Sequence, residues 1–263
     1  MILDRILSAK REEIHARARQ LPLVELHQQA LDRPPPRDFL GSLHRREFGV
    51  IAELKRRSPA KGLLKASLNP GLIARTYELG GAAAMSVLTD AKFFDGSDAD
   101  LQQARAACSL PVLRKDFVID PYQIWEARAL GADAVLLIVR ALEDGLFREL
   151  HSLALSLNLA ALVEVHDEPE LERATAAGVS LIGVNNRDLD TLTTDITTAE
   201  RLAPLVPSNA TFVAESGVSH RAAAERMQRA GARGILVGEA LMLAEDPAGL
   251  LHELSLQSVA AQP

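Results

Sequence analysis

The sequence predicts a single (β/α)8 TIM barrel with an N-terminal helical extension, and three observations carry that expectation. Short apolar runs recur eight times, at 50–54, 82–88, 111–113, 134–139, 160–165, 181–184, 211–214 and 234–237. Most are rich in Val, Ile or Leu without strict alternation, as parallel strands covered on both faces require. Longer segments with helical patterning separate them, at 70–79, 99–107, 121–130, 142–156, 168–177, 196–202 and 220–230. Many of these end in the same punctuation, Gly80-Gly81, Gly131-Ala132-Asp133, Gly178-Val179 and Gly231-Ala232-Arg233. Glycine just past a helix takes the left-handed cap conformation cheaply and turns the chain into the next strand. Units of about thirty residues match the barrel in count and in total length. An open doubly wound sheet is the alternative, but it calls for a glycine-rich dinucleotide turn after the first strand, and Glu53-Leu-Lys-Arg-Arg-Ser-Pro is nothing like one.

Residues 1–48 precede the first strand as an extension packed on the barrel. Leu3, Leu7, Ile14, Ala18 and Leu21 fall on one helical face, which predicts a docked amphipathic helix. Pro34-Pro-Pro36 stops any helix before Phe39. The barrel is expected over 49–254, and a C-terminal tail, 255–263, is expected to fray.

Bulk properties narrow the function. A chain of 263 residues with 48% hydrophobic and 24% charged residues has the profile of a soluble domain with a sizeable core. A net charge of −6 and no long basic run argue against a nucleic-acid partner. No window reaches the roughly 18 apolar residues of a membrane span, and the charged N-terminus lacks a signal-peptide core. Cys108 is the single cysteine, which excludes an internal disulfide and a cysteine-based zinc site and fits a reducing cytoplasm.

The candidate site comes from strand periodicity. Residues two apart share a face, which groups Ile51 with Glu53 and Lys55, and Leu113 with Lys115 and Phe117. It likewise groups Leu162 with Glu164, Gly183 with Asn185, and Val213 with Glu215. Each polar member lies at the C-terminal end of its run, the end where such barrels place catalytic groups. Charges gathered there without partners cost several kcal/mol each, so their convergence is unlike a device for stability. Glu215-Ser-Gly-Val218 after the seventh strand and Val237-Gly-Glu-Ala240 after the eighth each open a helical stretch. Those two loops build the phosphate site of many barrels, with glycine letting backbone N–H groups approach an anion. A small phosphorylated substrate is therefore expected.

At these residues the chain resembles the indole-3-glycerol phosphate synthase family. The likeness runs from Ile2 to about Leu243 through the blocks Ile51-Ala-Glu-Leu-Lys-Arg-Arg-Ser-Pro-Ala-Lys-Gly62, Ser86-Val-Leu-Thr-Asp-Ala-Lys-Phe-Phe-Asp-Gly-Ser97, Pro111-Val-Leu-Arg-Lys-Asp-Phe117, Leu162-Val-Glu-Val-His166 and Ile182-Gly-Val-Asn-Asn-Arg-Asp-Leu189. Ala60 departs from relatives that often carry serine there. The resemblance implies a carboxy-lyase of tryptophan biosynthesis acting on 1-(2-carboxyphenylamino)-1-deoxyribulose 5-phosphate, with no cofactor and no metal. It implies Lys115 as general acid toward the substrate carbonyl and Glu164 as its partner acid/base. Lys55 would contact the substrate carboxylate and protonate the departing hydroxyl, with Glu53, Asn185 and Glu215 as the surrounding shell. Ser58, Gly217, Gly238 and the backbone of Glu239 would cradle the phosphate. Phe117, Leu136 and Leu236 would wall the benzene ring, with Arg187 and Ser216 as further substrate contacts. A monomer or weak homodimer is expected.

Several neighbours read as bystanders: His166 as remote from the chemistry, Arg56-Arg57 as a basic pair able to attract an anion, Trp125 as helix–barrel packing, and Asp90 and Asp95 as part of a mobile loop. Three rival functions remain. A Schiff-base aldolase would use Lys115 as nucleophile. A phosphoribosylanthranilate isomerase would carry a cysteine at the end of the first strand, where Glu53-Leu-Lys55 stands. A non-catalytic phosphate-binding barrel would have lost its interior charges.

Overall fold

In a computed structural model of the chain, residues 2–59, 61–65, 67–189 and 191–257 are described. Eight parallel strands close into a barrel, each paired with its sequence neighbours and the last with the first. They are β1 (Gly49–Leu54), β2 (Ala84–Leu88), β3 (Val112–Lys115), β4 (Ala134–Ile138), β5 (Ala160–Val165), β6 (Leu181–Asn185), β7 (Thr211–Glu215) and β8 (Gly234–Val237). Each lies within two residues of the expected run, and β3, β6 and β7 extend past it to their polar C-terminal residues, Lys115, Asn185 and Glu215.

Among the described residues three helices precede the barrel, α1 (Ile2–Gln20), α2 (Leu23–Leu31) and α3 (Phe39–His44). Ten more follow in chain order: α4 (Pro70–Leu79), α5 (Ala91–Phe94), α6 (Asp98–Ala107), α7 (Pro121–Leu130), α8 (Asp144–Ser156), α9 (Glu168–Ala176), α10 (Thr197–Leu202), α11 (Arg221–Arg229), α12 (Glu239–Leu243) and α13 (Pro247–Leu254). Side-chain caps start most of them, with Asn69, Ser97, Asp120 and Asp167 accepting from backbone N–H groups of the first turn. Gly131 ends α7 at φ 89° and Gly231 follows α11 at φ 102°, a conformation that side chains resist.

Strand alternation sorts the core into two layers. Val50, Ala52, Met85, Val135, Val163, Val184 and Ile235 point outward and pack under the helices. Ile51, Leu113, Leu136, Leu162, Val213 and Leu236 fill the barrel interior. The extension closes both ends of this interior. At the N-terminal end, Leu43 of α3 reaches the start of β1, and His44 Nε2 lies 2.9 Å from Thr211 Oγ1 at the start of β7. Leu3, Ile6 and Leu7 of α1 join the same interior cluster, and Leu3 and Ile6 also border the opening at the C-terminal end.

The expected helical face is present in α1, where Leu3, Leu7 and Ile14 are buried together with Ile6 and Lys10, while Ala18 and Leu21 are half-buried. The short helices α2 and α3 were not legible as helices, since α2 buries only Leu26 and Ala30 and is hidden between Pro22 and the proline run. Trp125 packs on His27 of α2 with ring centroids 3.9 Å apart, an interface between the extension and α7. At the other end, Ser255 is buried and its hydroxyl donates to the His252 carbonyl, so the chain is still packed there. The expected tail beyond 257 and the departure at Ala60 lie outside the described residues.

Candidate active site

The strand ends deliver Glu53, Lys55, Lys115, Glu164, Asn185 and Glu215 to one cavity of about 570 Å³ at the C-terminal mouth of the barrel. Lys115 Nζ sits between two carboxylates, 3.0 Å from Glu164 Oε2 and 3.0 Å from Glu215 Oε2. Lys55 Nζ lies 2.6 Å from Glu53 Oε1. Asn185 hydrogen-bonds Glu164, and its Oδ1 accepts from the backbone N–H of Arg187 at 3.0 Å. Gly183 is the residue that makes room for Glu215, because a Cβ there would overlap Glu215 Oε1.

Burial opposes the charge on Lys115, but Glu164, Glu215 and Glu53 outweigh it and hold the ammonium well above the ordinary lysine range. For Lys115 this gives the direction that the sequence left open. Burial alone would raise the Glu164 carboxyl, yet Lys115 and then His166 hold it far below the usual carboxylate range. Glu215 goes the other way: burial lifts it, opposed by Lys115 and reinforced by the negative charge of Glu164 and Glu53. Two carboxylates sharing one ammonium thus divide into a strongly ionised member and one that binds a proton more readily.

The cavity has two chemically distinct sides. Phe94, Phe117, Leu136 and Ile138, from β2 to β4 and their loops, join Ile2, Leu3 and Ile6 of α1 in an apolar wall, with Leu236 on the floor. Across the mouth stand Arg187, Ser216, Gly217, Gly238 and Glu239, from the loops after β6, β7 and β8. Ser216 and Gly217 both take left-handed backbone, at φ 64° and 82°, and Asn186 Nδ2 donates to the Ser216 carbonyl at 3.0 Å. A serine held at positive φ stores strain of about 1–3 kcal/mol, a cost found mostly at ligand-binding turns. Lys61, from the hairpin Arg57–Ser58/Gly62–Leu63, reaches Glu239 at 2.6 Å, and Arg187 lies 3.6 Å from the same carboxylate. Those two cations offset the negative charge of Glu239 at the mouth.

Ser58 is placed differently from its neighbours. It is buried in the hairpin, its Oγ accepts from the Lys61 N–H at 3.1 Å, and it does not border the cavity. His166, expected to be remote from the chemistry, has its ring against Glu164. The loop after β2 is anchored: Asp90 is buried, caps α5 and pairs with Lys10 at 2.9 Å. Arg56 and Arg57 are engaged by Asp100 and Asp95. Lys61 and the α1 side chains were missed as site residues. Lys61 stands only three residues beyond Ser58, but nothing in its spacing says that the hairpin brings it to the rim of the cavity.

Comparison with known proteins agrees with this geometry. The family described as Indole-3-glycerol phosphate synthase matches residues 3–254. The chain belongs to the indole-3-glycerol phosphate synthase family. A relative from Polaromonas sp. (strain JS666), named indole-3-glycerol phosphate synthase, is 48% identical over 257 residues, covering 96% of this chain and 97% of its own length. Among solved structures, 3-hexulose-6-phosphate synthase superposes with a TM-score of 0.60 at 16% identity, over 79% of this chain and 98% of that one. Thiamine phosphate pyrophosphorylase from Pyrococcus furiosus gives 0.58 at 20% identity, over 80% and 95%. At those identities the likeness is one of fold. A shared barrel does not carry a shared chemistry, which resides in the site and not in the fold.

Gly238 offers a direct test of the crowded polar side of the mouth. A Cβ there would overlap Glu53 Oε1 and come 2.9 Å from Glu53 Cδ, forcing Glu53 off Lys55. Gly238→Ala is expected to lower kcat/KM about tenfold, less than the hundredfold of a full 1 Å misplacement because the carboxylate can swing. Steady-state kinetics over a range of substrate concentrations checks it.

Proposed function

We propose that this chain is an indole-3-glycerol phosphate synthase, a carboxy-lyase that closes the indole ring of 1-(2-carboxyphenylamino)-1-deoxyribulose 5-phosphate with loss of carbon dioxide and water. The observation that carries the reading is Lys115, an ammonium fixed by Glu164 and Glu215 between an apolar wall and a glycine-lined polar one. The substrate has the same division, an aryl group at one end and a phosphate at the other.

The phosphate lies against the turn Ser216–Gly217 and the backbone of Gly238 and Glu239, with Lys61 and Arg187 beside it. The benzene ring lies on Phe117 and Leu136 over Leu236. So held, the ring carbon bearing the carboxylate faces the sugar carbonyl, and Lys115 gives its proton to the carbonyl oxygen as the carbon–carbon bond forms. Departure of carbon dioxide restores the aromatic electrons. Lys55, beside Glu53, contacts the carboxylate and then protonates the hydroxyl that leaves as water. Glu164 takes the proton that this elimination releases, and Glu215 and Asn185 keep Lys115 and Glu164 in place. A protonated Lys115 cannot attack a carbonyl as an amine, which disfavours the Schiff-base aldolase. Among the described residues no group of three or more metal-ligating side chains exists, and no helix is long and apolar enough to cross a membrane. A cytoplasmic location, which the single buried thiol of Cys108 fits, and a monomer or weak homodimer complete the proposal.

The test mixes purified protein with the carboxyphenylamino-deoxyribulose phosphate and follows indole fluorescence and carbon dioxide, with no cofactor or metal added. Both are expected to rise together. Folded protein that produces neither would overturn the assignment.

A further inference from the structure

His166 follows β5 at the strand end that carries Glu164, and its ring is buried against the back of the site. Its Nδ1 lies 3.0 Å from Glu170 Oε2, and its backbone N–H donates to that same oxygen at 2.8 Å. The other Glu170 oxygen accepts from Arg140 Nε at 2.6 Å. Glu170 is thus a fixed anion on α9, and it keeps a hydrogen on Nδ1. Nε2 on the far side of the ring lies 3.3 Å from Glu164 Oε1. It is buried, and it has no aligned hydrogen-bond partner among the described residues. Lys115 holds the opposite oxygen of the same carboxylate, Oε2. Glu164 is therefore gripped from two sides by groups on three different strand ends, Asn185 being the third.

We propose that His166 is a positioning residue for Glu164: braced by Glu170 and Arg140, its ring fixes the Glu164 oxygen that Lys115 does not hold, and so sets the orientation in which Glu164 exchanges protons with the substrate. The inference rests on the acid/base role given to Glu164 above. A carboxylate with one oxygen pinned presents a defined lone pair to the reacting atoms, whereas a free one samples rotations that waste the encounter. His166 is no nucleophile and no ligand here, since it has no access to the cavity except through Glu164.

The charges around the ring favour its cation. Burial lowers the tendency of His166 to hold a second proton, but the carboxylates of Glu164 and Glu170 beside its two nitrogens outweigh this and lift it from the ordinary value to about 9. Beyond those two, the groups that bear on the ring are more distant. Lys115 sits on the far oxygen of Glu164, and Arg140 spans Glu170, Asp167 at 3.4 Å and Asp188 at 3.6 Å. At neutral pH the ring is charged, and the charge is lost as pH rises through about 9. The Lys115 ammonium persists beyond that point, so an alkaline limb near 9 belongs to His166.

Two measurements on the intact protein test this. In kinetics, His166→Phe is expected to lower kcat about tenfold, the cost of losing one close buried charge contact to the Glu164 oxygen, with KM changed less than about twofold. His166→Gln, which restores a neutral donor, is expected to recover most of kcat while the limb near 9 disappears. Glu170→Gln is expected to move that limb to lower pH. A limb unchanged in His166→Gln would overturn the proposal. In NMR, the ring of His166, picked out from the seven histidines by its absence in His166→Gln, is titrated in wild type and in Glu164→Gln. The ring is expected to lose its proton at clearly lower pH in Glu164→Gln. An inactive Glu164→Gln with an unmoved ring titration overturns this inference alone. A fully active Glu164→Gln overturns the role of Glu164 and this inference with it.

Discussion

Replacing Lys115 with methionine is expected to lower kcat about 10²- to 10⁴-fold while KM changes little, because on the proposed mechanism the change removes the general acid and leaves the binding walls standing. Methionine keeps the length and apolar stem of the side chain, so the strand end of β3 loses no packing. What it loses is the ammonium between Glu164 and Glu215. Those two buried carboxylates then face each other with no cation between them, and one of them takes up a proton, Glu215 more readily than Glu164. That proton makes the fold tolerant of the change, and the kinetic loss is then a loss of chemistry. Because the wild-type ammonium is held above the ordinary lysine range, the acid is in its active form at every pH an assay would use. Indole fluorescence and carbon dioxide release, measured on variant protein with a wild-type near-ultraviolet spectrum, check the prediction. Ring closure at an undiminished rate would take the role away from Lys115.

The same residues show how far a sequence can be read. Lys115 was legible because strand periodicity is rigid: once the run at 111–113 is a buried strand, the residue two beyond Leu113 must share its face. Glu53, Lys55, Glu164, Asn185 and Glu215 follow by the same rule, and all of them border the cavity. His166 obeys that rule too, two beyond Glu164, but its meaning depends on Glu170 and Arg140 turning back from α9 and from the segment after β4. No periodicity relates those elements. Ser58 and Lys61 lie in a hairpin whose fold exchanges their roles, one turned into the protein and the other toward the mouth. Loops obey no period, so spacing cannot say which of two nearby polar side chains faces the substrate. The contribution of α1 was half legible: its apolar face predicted docking, whereas the place where it docks is decided by a lysine on that face.

That lysine is the second large effect. Lys10 is 1% exposed, and its Nζ lies 2.9 Å from Asp90 Oδ2, 2.9 Å from Asp116 Oδ1 and 2.8 Å from Glu13 Oε2. Asp116 immediately follows Lys115 and also accepts from Thr89 Oγ1 at 2.6 Å, so the ammonium from α1 clamps the ends of β2 and β3 together. Lys10→Met is expected to destabilise the protein by about 3–5 kcal/mol at neutral pH, the cost of leaving a buried charge without its partner. Urea unfolding at several pH values checks it. Burial would raise the Asp116 carboxyl, but Lys10 and Arg114 hold it below its ordinary value. Its contribution is therefore present above the unfolded pKa of about 3.9 and lost as pH falls through the lower folded value. In the variant Asp116 loses that support and accepts a proton at higher pH, so the gap between the two proteins is expected to narrow under acid. Adding Asp116→Asn to Lys10→Met is expected to recover part of the loss at neutral pH, since the amide carries no unpaired charge. A rise in KM should accompany the single change, because the helix released is the one that brings Ile2, Leu3 and Ile6 to the apolar wall. A variant as stable as wild type would mean that the apolar face of α1 holds the extension without its lysine, and that the mouth of the barrel is shaped by packing alone.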